Sequence, residues 1–139
     1  MSRFVLDASV TLSWLIDRKV DPYASRVRQL LLAGSKAIVP ALWELEIANG
    51  FITAERRTLL SPSDTDQILR LFESVLARSI EVSRGSIPIR RAVSAARSAG
   101  LTAYDAAYLD LASTQQLPLA TLDQNLAKAA LKSGVTLLS

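Results

Sequence analysis

The chain contains no cysteine and no histidine. Without cysteine there can be no disulfide, no thiolate zinc site and no cysteine nucleophile. Without histidine there is no imidazole acid–base pair, no Ser-His-Asp triad and no His-rich metal centre. Any hydrolytic chemistry must therefore rest on carboxylates, hydroxyls, Lys, Arg or a bound metal. Aromatics are few, eight in 139 residues, and no motif of the base-stacking kind used by RNA-binding modules is present. No apolar run approaches a membrane span, and Met-Ser-Arg-Phe-Val-Leu-Asp at the start meets an acid after three apolar residues, too few for a signal-peptide core. A cytoplasmic protein with no membrane partner is the expectation.

What is present is a chain half of whose residues are hydrophobic, long enough to bury a core without staples, and expected to form one domain over residues 1–139. The net charge of +3 is a mild basic bias. Twelve of the sixteen basic residues are Arg, the side chain suited to bidentate phosphate contacts.

Hydrophobic spacing and turn residues predict an alternating order of elements. Strands are expected at Arg3 to Leu6, Lys36 to Val39, Ser79 to Ser83, Leu117 to Thr121 and Val135 to Leu138. Helices are expected from Ser9 to Ile16, Pro22 to Ala33 and Leu42 to Arg57, then from the cap Ser61-Pro62-Ser63-Asp64 to about Ala77. Three more follow: Ile89 to Ser98, a helix around Asp105, and Asp123 to Ser133. Such alternation argues for an α/β domain, a mostly parallel sheet of about five strands with helices on both faces.

In open α/β sheets the functional crevice lies beyond the carboxyl ends of the strands. Asp7 directly follows the first strand and Asp123 the fourth, while Glu46 and Asp105 lie in the first turns of helices that follow strands. Asp105 opens a nearly all-apolar helix in which Tyr104, Ala107, Tyr108 and Leu111 form one stripe, so its charge needs a partner. It also has a plainer reading. Thr102 precedes it at capping-box spacing, with Asp in place of the usual Glu. On the helix from Leu42, Glu46 shares a stripe with Asn49 and Thr53, flanked by Leu45 and Ile47, and is expected to face inward, whereas Glu44 points away toward solvent. Four converging carboxylates would repel one another unless cations neutralise them, and with no histidine at hand, Mg2+ or Mn2+ fits an all-oxygen donor set. Phosphodiester hydrolysis follows as the expected chemistry.

Four motifs in order, Val5-Leu-Asp7-Ala-Ser9-Val, Pro40-Ala-Leu-Trp43-Glu-Leu-Glu46-Ile-Ala-Asn49, Leu101-Thr-Ala-Tyr-Asp105-Ala-Ala-Tyr-Leu and Leu119-Ala-Thr121-Leu-Asp123, resemble those of the PIN-domain ribonucleases, and within them the VapC-like toxins of toxin–antitoxin pairs. The resemblance covers nearly the whole chain and implies a PIN-like three-layer α/β/α domain. It implies that Asp7, Glu46, Asp105 and Asp123 form the acidic catalytic site, with Asp7, Asp105 and Asp123 as metal ligands and Asp7 central. Ser9 and Thr121 match hydroxyl positions that support the ligands or the attacking water, and Asn49 matches a polar position beside the site. The implied activity is Mg2+- or Mn2+-dependent cleavage of RNA. The implied partners are a cognate antitoxin, which can bring a basic side chain near the acids, and a second copy in a homodimer, extending to a heterotetramer or larger assembly with the antitoxin.

RNA contact is expected from Arg84, Arg90, Arg91 and Arg97, which cluster just before the Asp105 helix. The alternative for them is the solvated face of an ordinary helix. Apart from the four acids the chain holds nine acids against sixteen basic residues, a surplus suited to phosphates around an acidic pocket. A phosphatase of the haloacid dehalogenase kind would want a second Asp two residues after Asp7, where Ser9 stands. The reading from another class is a PIN-like module that has lost catalysis and serves as a binding scaffold.

Overall fold

The structure, a computed structural model, describes residues 2–139. The chain begins with β1 (Arg3–Leu6), α1 (Ala8–Ile16), α2 (Pro22–Leu32) and β2 (Lys36–Pro40). It continues through α3 (Leu42–Arg56), α4 (Pro62–Val75) and β3 (Ile80–Ser83) to α5 (Ile89–Ala99), α6 (Ala103–Gln115), β4 (Leu119–Ala120) and α7 (Gln124–Lys132).

Phe4, Val5 and Leu6 are successive residues of β1 and all fully buried. Successive strand side chains point to opposite faces, so both faces of the sheet are covered by helices. The result is a three-layer α/β/α arrangement on an all-parallel sheet of order β3-β2-β1-β4. The apolar core runs from β1 through Ile38 and Val39 of β2 to Trp43 and Phe51 of α3 and Tyr108 of α6.

Chain order reverses at β1. From there the chain steps outward through β2 and β3 on one side, then returns to add β4 on the other. The crevice between β1 and β4 at their carboxyl ends is the place where diverging crossovers leave room for a ligand.

The expected fifth strand does not extend as a ladder. Val135 to Leu138 contributes a single bridge, Leu119 to Leu137, with Leu119 N–H donating to Thr136 O and Leu138 N–H to Leu119 O, both at 2.9 Å. The reason lies in β4, which is two residues long where Leu117 to Thr121 was expected and offers little edge to pair with. Tyr104 also departs from expectation: it is 66% exposed, so the first turn of α6 stands clear of the core that takes Tyr108.

Candidate active site

Asp7 is the residue after β1 and occupies the N-cap position of α1, yet its carboxylate does not cap that helix. It is 5% exposed, and Oδ2 accepts two hydroxyl bonds, from Ser9 Oγ at 2.6 Å and Thr121 Oγ1 at 2.8 Å. Those hydroxyls are themselves held by the loop after β4. Leu122 N–H donates to Ser9 Oγ and Asp123 N–H to Thr121 Oγ1, each at 3.0 Å. Together with Asp7 N–H on Ala120 O at 2.9 Å, they fasten the β1 and β4 ends to each other through the side chain of Asp7.

Asp123 is the N-cap of α7, with Oδ1 accepting from Asn125 N–H at 2.8 Å and Leu126 N–H at 3.1 Å. Glu46 is half-buried, and its Oε1 takes a short hydrogen bond from the hydroxyl of Tyr108. Asp105 lies in the first turn of α6, partly buried, its backbone N–H bound to Thr102 Oγ1 at 3.1 Å.

The electrostatics of three of the four acids run the same way. Burial pushes the Asp7 carboxyl above its usual range, against the two hydroxyl bonds, and the charges of Asp105 and Asp123 push it further. Glu46 is raised by burial and then by Asp7 and Asp105, with the Tyr108 bond opposing. Asp105 is raised by burial and by Asp123. Tyr108, fully buried and facing Glu46, has its phenol pushed far above the ordinary value and stays a donor. The acids thus feel one another across one crevice. Among the described residues the ion pairs are Arg3–Glu81, Arg84–Glu44 and Arg91–Asp110, and none of them reaches these four acids.

A buried carboxylate held only by neutral donors is costly, and a cation relieves that cost. The donor set suits a hard divalent ion in kind, being all oxygen, and Asp7, Glu46 and Asp123 each use one carboxylate oxygen in protein hydrogen bonds and leave the other open. Among the described residues no three acids stand close enough to hold one ion jointly.

A PIN domain model matches residues 4–132. The chain belongs to the PIN domain family. PIN domains are in general metal-dependent nucleases. The fold is similar to that of PAE2754 from Pyrobaculum aerophilum, at 24% identity over 92% of this chain and 84% of that one, with a TM-score of 0.69. It is similar to FitAcB from Neisseria gonorrhoeae at 19% identity, covering 100% of this chain and 97% of that one with a TM-score of 0.65. FitAB bound to the IR36 DNA fragment matches at 18% identity over 99% and 94% of the two chains, TM-score 0.64. No curated protein sequence matches the chain.

The remaining residues singled out from the sequence are dispersed. Asn49 is exposed on α3, and Leu45, expected to flank Glu46 on the inward face, is 75% exposed. Glu44 is exposed and ion-paired with Arg84 at 3.3 Å. Arg91 donates to Asp110, while Arg90 and Arg97 are exposed on α5. Tyr108 is the site residue that spacing alone passed over. It reads as one more apolar position in a core stripe, and the available signal was that a buried phenol requires an acceptor.

Proposed function

We propose that this PIN domain, a single domain over residues 1–139, is a VapC-like endoribonuclease toxin that hydrolyses RNA phosphodiester bonds with Mg2+ or Mn2+ and is neutralised by a cognate antitoxin. The observation that carries the reading is Asp7: a buried carboxylate at the β1/β4 crevice, surrounded by Glu46, Asp105 and Asp123, with neutral hydroxyls as its donors. A divalent ion bound there would lower the pKa of water and neutralise charge on the transferring phosphoryl group.

The protein's own part is positioning. Ser9 and Thr121 hold Asp7 Oδ2, so that Oδ1 would be free to take an ion. The α7 cap fixes Asp123 in the same way, and Tyr108 orients Glu46. Asp105 completes the set from the start of α6. Because no cation among the described residues pairs with these four acids, a guanidinium from an antitoxin could occupy the crevice in place of the ion, which is a direct means of inhibition. A homodimer is part of the same reading. Exposed apolar side chains such as Leu32 on α2 and Leu71 and Val75 on α4 offer surface for partner chains.

The test is cleavage of total RNA by the purified, antitoxin-free chain while Mg2+ and Mn2+ are titrated, with Asp123→Asn in parallel. Cleavage by the unaltered chain that is silenced by chelator and by the substitution is expected. A folded, metal-loaded chain that leaves all RNA intact would sink the proposal in favour of a binding scaffold.

A further inference from the structure

The four arginines near the α6 helix fall into two kinds. Arg91 reaches across to α6, where its Nε and Nη2 donate to Asp110 Oδ1 at 3.2 and 2.7 Å and Nη2 also meets Thr114 Oγ1 at 3.3 Å. Arg84 donates to Glu44 at 3.3 Å. Each of these guanidiniums stands beside a carboxylate, so an approaching phosphate meets a nearly neutral pair. Arg90 and Arg97 are exposed, and among the described residues neither has an acid within ion-pair distance.

Arg97 follows Arg90 by seven positions, which on a helix places them about 20° apart around the axis and about 10 Å apart along it. Ser94 lies between them on the same stripe. With Ile89 and Val93 the three residues line an open depression of about 550 Å³. α5 itself carries no acid. The helix is antiparallel to α6: Arg91 near its start meets Asp110 and Thr114 near the end of α6, and Gly100 to Thr102 join the two. Arg97, near the end of α5, therefore stands at the level of the first turn of α6, where Asp105 is. The line from Arg97 to Arg90 leads away from the acidic crevice.

We propose that Arg97 and Arg90 form a phosphate track that holds single-stranded RNA backbone on one side of the cleavage site, and that Arg84 and Arg91 take no part in it. The inference rests on the endoribonuclease reading above. Ile89, 85% exposed, and Val93 give the faces of unstacked bases an apolar surface beside the phosphates, a contact that every base can make. The track accordingly supplies affinity and direction of approach without sequence preference.

The experiment measures binding of a fluorescent twelve-residue oligouridylate to the chain carrying Asp123→Asn, across 50 to 200 mM salt. Adding Arg90→Gln and Arg97→Gln together is expected to weaken binding by about tenfold or more and to flatten the log–log salt dependence by about 1.4, at about 0.7 per phosphate contact on a single strand. Arg84→Gln in the same background is expected to change neither. Both track residues are exposed, so the double variant should keep the parent's melting midpoint, which is measured alongside. Unchanged binding by a folded double variant, or an equal loss with Arg84→Gln, overturns the track. If such a result comes with RNA cleavage by the chain carrying native Asp123, the endoribonuclease reading stands and only the track falls. If the native chain neither binds the oligonucleotide nor cleaves total RNA, that reading falls and takes the track with it.

Discussion

Two helices of this chain begin on the same local pattern, a hydroxyl residue with an aspartate three positions later, and they use it differently. At the start of α4 the box is closed: Asp64 N–H donates to Ser61 Oγ at 3.0 Å, and Ser61 N–H donates back to Asp64 Oδ2 at 2.9 Å. Hydrogen bonds from Ser61 hold the Asp64 carboxyl below its usual range. At the start of α6 only the first half forms. Thr102 Oγ1 accepts from Asp105 N–H, while Thr102 N–H makes no return bond to the carboxylate. Asp105 instead is pushed upward by burial and by the charge of Asp123. The Thr102 hydroxyl also draws the Asp105 carboxyl downward, so the aspartate keeps a part in the cap, but burial and the charge of Asp123 outweigh that pull and point to a second role. Asp64 is what a structural acid looks like in this protein, and under the proposed function Asp105 is its counterexample.

The largest expected effect separates the two directly. Asp105→Asn should reduce RNA cleavage on the order of 100-fold or more while leaving the metal-free melting midpoint unchanged or higher, because it removes like-charge repulsion. Asp64→Asn should leave cleavage within about twofold and lower the midpoint slightly, because the amide replaces a charge-assisted bond at the cap. Cleavage assays and thermal melts on the two proteins decide it. If Asp105→Asn lowers the midpoint and spares cleavage, both acids are caps and the contrast is void.

An intermediate effect comes from giving α6 the residue that a capping box ordinarily uses. Asp105→Glu adds one methylene, which lets the carboxylate reach back to Thr102 N–H. The α6 start should gain about 0.5–1 kcal/mol in a denaturant melt, and cleavage should fall about tenfold as the carboxylate is drawn from the crevice. Full activity together with the raised stability would mean that the site does not depend on where this carboxylate points.

The order of strands and helices was readable because buried strands such as Phe4 to Leu6 and Ala37 to Val39 are short apolar runs bounded by charge or proline. The distinction between Glu46 and Glu44 was readable too, since a helix turns through a known angle per residue. What escaped depends on contacts far apart in sequence. Leu45 was assigned to a covered flank, but α3 buries Trp43, Ile47, Phe51 and Ala54, a stripe that leaves Leu45 in solvent. The bond between Tyr108 and Glu46 spans 62 residues, and the pairing that neutralises Arg84 spans 40. No local pattern announces either. The final strand is reduced to a single bridge for a related reason, because a strand exists only by its neighbour and β4 is too short to offer more.

The smallest effect is on the pH dependence of stability, and its sign is the sharpest form of the contrast. Asp64 has a folded-state pKa below its ordinary value, so its carboxylate stabilises the fold at neutral pH and that contribution is lost as pH falls through the acid range. Asp105 has a folded-state pKa above its ordinary value, so in the metal-free chain its charge opposes folding at neutral pH, and the opposition disappears as falling pH protonates it in the folded state first. Measured as the midpoint of the parent minus that of its Asn variant, the Asp105 difference should climb from negative toward zero on acidification from pH 7 toward pH 4, whereas the Asp64 difference should hold over that range and shrink only below about pH 4. Each should move by a few degrees at most, since both carboxyls are screened by solvent. Adding Mg2+ at pH 7 should raise the midpoint of the parent and of Asp64→Asn, since a ligand of the folded state stabilises it by mass action, and should do so far less for Asp105→Asn. Slopes of the same sign for the two acids, or an equal response to Mg2+ in both variants, would return Asp105 to the ranks of the helix caps.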